Sequence, residues 1–194
     1  MNKLLNEENV RHTLALTKNG TATGIDGCPY KLWKVLEKRY NDDTNADKTS
    51  FNLIKVLIII YQDIQQHGLN EKSNFMLRWM CLLYKKKDPT EICNYRPITL
   101  LNTDYKILTK ALALQLVNEI EHLVHLDQAG FIRKCSIFNQ VHLAKTIINY
   151  AEATQENEAI IAFNQEKAYN KIKHDYLWDT MKKFKIPHTF ADTV

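Results

Sequence analysis

A chain of 194 residues has room for one domain, or for one domain with a helical extension. Its composition, 45% hydrophobic and 25% charged, is that of a globular protein and excludes a disordered one. A net charge of +4 is compatible with a polyanionic partner without requiring one. Cys28, Cys81, Cys93 and Cys135 lack the short paired spacing of zinc sites and the density of a secreted disulfide framework. A reducing, intracellular compartment is therefore expected, with nucleus and cytoplasm both open. The polar start MNKLLNEENV has no signal-peptide core, and apolar runs such as 56–60 are far too short to span a bilayer. No membrane partner is expected.

The first predicted element is an amphipathic helix over 2–17, with Leu4, Leu5, Val10, Leu14 and Leu16 among polar residues. Gly24-Ile25-Asp26-Gly27 reads as a loop. Tyr30, Trp33, Val35 and Leu36 predict a second helix, closed by the polar run 41–50. A third spans about 51–66, with Leu53, Ile54, Leu57, Ile58 and Tyr61 at three- and four-residue steps and His67-Gly68 as its stop. The pattern then changes. Trp79–Tyr84 and Tyr95–Leu101 are apolar runs split by a polar turn carrying Pro89, which predicts a hairpin.

A long helix is predicted over 103–124, with Ile107, Leu108, Ala111, Leu112, Leu116 and Ile120 on one face. Residues 127–131 form a turn. A further helix over 137–153 carries Ile137, Val141, Ala144, Ile147 and Ile148. Ala159–Phe163 is a candidate buried strand, and a last helix holds Tyr176, Leu177, Trp178 and Met181 before Pro187. His122 and His125 have no third ligand in view and are expected to be solvated, and His174 is expected to be structural.

The stretch NYRPITLLNTDYKILTKALALQL resembles the fingers segment of non-LTR (LINE-type) retrotransposon reverse transcriptases. DQAGFIRKCSIFNQ and AIIAFNQEKAYNKIKHDYLW continue the resemblance in order, and GIDGCPYKLW is similar to the block that precedes the fingers in this family. The resemblance implies an α+β fold: an N-terminal helical extension (1–78), a fingers-like part (79–157) and the start of a right-hand polymerase palm (158–194). It also implies a chain truncated before the family's Tyr-Ala-Asp-Asp hairpin.

Members of that family bind an RNA template and an RNA–DNA duplex, and magnesium ions on aspartates serve the nucleotidyl transfer. The first metal-binding aspartate falls at Asn164, and the second acidic position of that motif falls at Asn170. An amide offers a neutral carbonyl and cannot bridge two dications. Neither Glu166 nor Asp175 stands at a ligand position of the motif. No metal is therefore expected in this chain, no small-molecule cofactor, and no polymerase activity. The resemblance further implies nucleotide-binding roles for Lys85, Arg96 and Tyr169, and a template–primer groove lined by Gln128 and Phe131. Lys87 and Lys134 stand where the family carries glycine, and Cys135 where it carries arginine. The alternative is a domesticated module that binds RNA or an RNA–DNA duplex without catalysis, and any such binding by this chain is expected to be weak.

Overall fold

A computed structural model describes residues 4–70, 73–120, 122–125, 127–132, 135–155, 159–165 and 168–193, the side chain of Asn170 excepted. The expectations for Lys134 and Glu166, and for the Asn170 side chain, lie outside this set. The chain divides into two compact units, one up to Gln115 and one over Leu116–Ala191.

In the first unit, α1 (Glu7–Ala15), α2 (Tyr30–Asn45) and α3 (Leu53–His67) pack on one another. Asn6 starts α1 with a reciprocal cap: its side chain accepts from Asn9 N at 2.9 Å, and its own N–H donates to Asn9 Oδ1 at 3.2 Å. Such a cap satisfies two of the four backbone donors a helix start leaves open. Asn52 caps α3 by accepting from Lys55 N at 2.9 Å, and Gly68 ends it at φ 76°, a conformation that glycine adopts without strain. The predicted helix over 2–17 is shorter than expected. Leu5 precedes the cap, yet it is fully buried, because Gln62 and Gln65 of α3 bind its carbonyl and its N–H. The second helix runs past the expected stop, to Asn45. Its polar last turns lie at the surface, where i,i+4 contacts such as Arg39–Asp43 suit a helix that needs no apolar face.

The core of this unit consists of Leu5, Val10, Leu14, Leu53, Ile54, Leu57, Tyr61 and Ile64, with Ile107, Leu108, Ala111 and Leu112 from α4 (Thr103–Ile120). The start of α4 is tied down by three hydrogen bonds. Tyr61 Oη donates to Asp104 O at 2.8 Å, Trp33 Nε1 donates to Thr103 Oγ1 at 2.6 Å, and Thr103 Oγ1 donates to Cys28 O at 2.8 Å. At Gly24 any Cβ would collide with the backbone and side chain of Asn102, so glycine is required there by close approach. α4 ends at Ile120, four residues before the predicted stop, and three-residue bonds such as Leu123 N to Ile120 O tighten the chain beyond it.

The predicted hairpin is present. β1 (Arg78–Tyr84) and β2 (Tyr95–Leu101) pair antiparallel, with Tyr84 opposite Tyr95 and Arg78 opposite Leu101. Among the described residues nothing covers either face: Trp79, Met80, Leu82 and Leu83 are all more than half exposed.

The second unit holds α5 (Ile137–Thr154), α6 (Ala168–Lys171), α7 (His174–Lys183) and α8 (His188–Ala191). Met181 and Phe190 are buried. No residue of α5 is buried, and its predicted apolar stripe, Ile137, Val141, Ile147 and Ile148, stands exposed. The strand predicted over Ala159–Phe163 is not formed. Its residues have no ladder, and Phe163 is 92% exposed. An apolar run becomes a strand only beside a partner that takes its N–H and C=O groups, and none of the described residues provides one.

Among the described residues no helix is long and apolar enough to cross a membrane, and the four cysteines are free thiols. The secondary structure of the described residues is mostly helical, with one two-stranded sheet.

Candidate nucleotide and nucleic-acid site

Two of the residues singled out from the sequence lie on the hairpin. Lys85 follows β1 directly, and its N–H donates to Asn94 O at 2.9 Å, which carries the ladder one step further. Arg96 stands opposite Leu83 in β2. Opposed residues share a face and residues two apart share a face, so Lys85 and Arg96 sit on the same side of the hairpin. Both are exposed. Among the described residues, neither of them nor Lys86 or Lys87 takes part in an ion pair. A guanidinium fork and an ammonium left unpaired on one face suit phosphate oxygens.

The turn that holds them is stiffened by its own side chains. Tyr84 Oη donates to the carbonyl of Lys87, Tyr95 Oη donates to Pro89 O at 2.8 Å, and the two tyrosine rings lie 5.5 Å apart. Asp88 accepts from Thr90 Oγ1 at 2.7 Å and from Thr90 N at 2.9 Å, and these bonds hold its carboxyl below the ordinary range. Lys87 adopts φ 76°, in the left-handed region where glycine is the unstrained residue. The glycine expected there from the family pattern thus has a backbone reason, and lysine departs from it at some cost in strain.

In the other unit, Phe131 and Tyr169 meet edge to face, with ring centroids 6.5 Å apart and planes at 84°. Both are largely exposed, and Phe131 has φ 64°. Gln128 ends the turn before them: its N–H donates to His125 O at 3.0 Å and its side-chain amide to Gly130 O at 3.1 Å. The structure therefore brings Phe131 and Tyr169 together, with Gln128 in the turn just before Phe131. Their spacing of forty or so residues did not reveal this.

Asn164 is exposed and lies in a stretch, 159–165, without helix or strand. Among the described residues no three His, Cys, Asp or Glu side chains converge on a point that could hold a metal. His125 Nδ1 and Asp127 Oδ2, 3.2 Å apart, are an exposed pair. Asp175 sits in the first turn of α7, where a carboxylate favours the helix N-terminus. Asn164 itself offers a neutral amide oxygen, a poorer donor for magnesium than a carboxylate.

Sequence reasoning passed over the set that docks the GIDG block: Trp33, Asn102 and Thr103. Asn102 and Thr103 are buried, and Asn102 Oδ1 accepts from Asp26 N at 3.4 Å. These contacts span 70 to 76 residues of chain, so no local pattern could announce them.

Residues 84–194 match the family described as reverse transcriptase (RNA-dependent DNA polymerase). Over 112 residues the chain is 35% identical to a protein of Xenopus laevis described as "Transposon TX1 uncharacterized 149 kDa protein". The alignment covers 58% of this chain and 9% of that protein, so the chain spans less than a tenth of the relative it matches.

Proposed function

Because the chain belongs to the reverse transcriptase family, we propose that it corresponds to the fingers and the first palm elements of a non-LTR retrotransposon polymerase, and that it does not polymerise as written. The assignment of 1–78 to a helical extension, 79–157 to fingers and 158–194 to palm belongs to the same proposal. In this reading Lys85 and Arg96 meet the phosphates of an incoming nucleotide, Tyr169 faces its sugar, and Gln128 and Phe131 line the template–primer groove.

The observation that carries the inactivity is Asn164, in the segment Phe163-Asn164-Gln165 that stands where the family places its first metal-binding aspartate. In the intact family magnesium on that carboxylate supplies the charge that gathers the triphosphate. An amide there removes one negative charge, and Asn170 offers none in its place. A primer-extension assay on a longer chain that includes the family's later aspartate hairpin tests this. Activity should be undetectable with Asn164 and appear with Asn164→Asp and Asn170→Asp together. Extension by the unsubstituted chain would overturn the reading.

A second reading is favoured by the unpaired cations of the hairpin: a module that grips RNA or an RNA–DNA duplex without chemistry. Its affinity falls steeply with salt, because each phosphate contact releases counterions. Substituting Lys85 and Arg96 by glutamine weakens that binding, and an affinity unchanged by both would remove this alternative.

A further inference from the structure

A second group of cations lies in the first unit, away from the hairpin tip in sequence and built by different elements. Lys34 of α2 donates through Nζ to Thr17 O at 2.6 Å and Ala15 O at 3.5 Å. Lys110 of α4 donates to Leu16 O at 2.9 Å, and Lys106, one turn earlier, donates to Ala22 O at 2.8 Å. Three ammonium groups are thus anchored on the end of α1 and the loop after it, 15–22, and Lys18 stands exposed within that loop. Burial, then the charges of Lys34 and Lys18, lower the proton affinity of Lys110, so these two lysines lie within electrostatic reach of it.

Part of this arrangement serves the fold. The C-terminus of α1 exposes carbonyls equivalent to roughly half a negative charge, and a lysine there is favourable. Half a charge does not account for four cations, whose mutual repulsion is unfavourable wherever no anion sits among them. Among the described residues none of the four lysines takes part in an ion pair, and Oε1 of Glu37, on the same helix as Lys34, is engaged by Arg11 at 3.1 Å. Each anchored ammonium carries three N–H donors and so keeps capacity beyond its backbone contacts.

We propose that Lys18, Lys34, Lys106 and Lys110 form a contact surface for the phosphate backbone of nucleic acid, separate from the hairpin cations. The carbonyl anchors fix the three half-buried ammoniums at little further entropic cost, and Lys18 adds an exposed charge. Family membership favours a polynucleotide as the polyanion; the proposal does not depend on whether the chain polymerises.

The test is anisotropy of a short unstructured RNA with the full 194-residue chain across a salt series. Lys18 has no hydrogen bond from its ammonium among the described residues, so Lys18→Gln separates binding from folding. It should weaken affinity about fivefold near physiological salt and lower the salt slope by about 0.7. Lys18→Arg should keep both at the parent values, and the urea midpoint should not move. Lys106→Gln should add a further loss, checked against its own unfolding curve. A Lys18→Gln variant with parental affinity and slope would overturn the proposal and leave the lysines as caps of α1. A parent chain without salt-dependent binding would overturn it too, as would complete loss of that binding on substituting Lys85 and Arg96 alone.

Discussion

The helical cluster before the hairpin and the unit after Gln115 use the same apolar vocabulary with opposite results. In the first, Val10, Ile54 and Tyr61 are all but inaccessible to solvent, and Ile107 and Leu108 of α4 close the same core. In the second, Ile137, Phe138, Ile160, Ile161 and Phe163 are each at least 65% exposed. Most of the best-buried residues lie before residue 84, where the family match begins, and the match itself runs through the exposed unit. A three- and four-residue repeat is enough to make α5 a helix. It does not by itself place another element over the stripe. Family signature and packing overlap at α4, and the rest of the match lies in the hairpin and the exposed unit.

The sharpest way to break this contrast is to truncate one side chain on each side of it. Ile54→Ala should cost about 3 kcal/mol in urea unfolding, from lost burial and the cavity left behind. Ile147→Ala on α5 should cost less than about 0.5 kcal/mol. Equal losses would mean that α5 is covered in solution. The next effect is steric. Gly24→Ala, which drives a methyl into Asn102, should cost about 2 kcal/mol and loosen the start of α4. The loss should be visible as a shift in Trp33 emission, since the indole N–H is held by Thr103. Unchanged stability would show that the GIDG loop is not seated there.

Smaller still is the strain at Lys87. Replacement by glycine adds unfolded-chain freedom at any exposed site, so the informative quantity is a difference between neighbours. Lys87→Gly should leave the protein about 1 kcal/mol more stable than Lys86→Gly, because only Lys87 has a positive φ. The smallest effect concerns Asp104, half-buried at the start of α4. Burial raises its carboxyl above the ordinary value, with the Asp26 charge adding to the rise, against the lowering bond from Tyr105 N. A raised folded-state value means that the native state binds more protons than the unfolded chain between the two values. Stability from this group is therefore full below the ordinary carboxylate range and declines as pH rises through the folded value. Asp104→Asn should flatten that decline in unfolding midpoints measured from mildly acid to neutral pH. A parallel decline in both proteins would assign it to another group.

Much of the fold was legible because its determinants are local. Asn52, His67 and Gly68 bracket α3 as their chemistry requires, and the proline-bearing turn between two apolar runs gave the hairpin. The missing strand at Ala159–Phe163 was not legible, since pairing depends on a distant partner that no pattern within five residues specifies. The site divides in the same way. The proposal for Asn164 rests on one motif, and so does the expectation of glycine at Lys87, whose positive φ the structure supplies. The meeting of Phe131 with Tyr169 and the convergence of Lys34, Lys106 and Lys110 on one loop are products of tertiary structure.

The bonds that join the GIDG block to the start of α4 have a consequence for how the molecule is made. Trp33 to Thr103, Thr103 to Cys28 and Asp26 to Asn102 close segments of 70, 75 and 76 residues. Closing a flexible loop of that size costs about 4 kcal/mol of chain entropy, which the three contacts recover only when formed together. The hairpin β1–β2 lies inside the loop and can form early from neighbouring residues, which shortens the span left to close. On the ribosome α1, α2 and α3 emerge with their apolar faces incomplete. Ile107, Leu108, Ala111 and Leu112 must follow before that core can shut, so the earliest-made helices wait for α4 before they become stable.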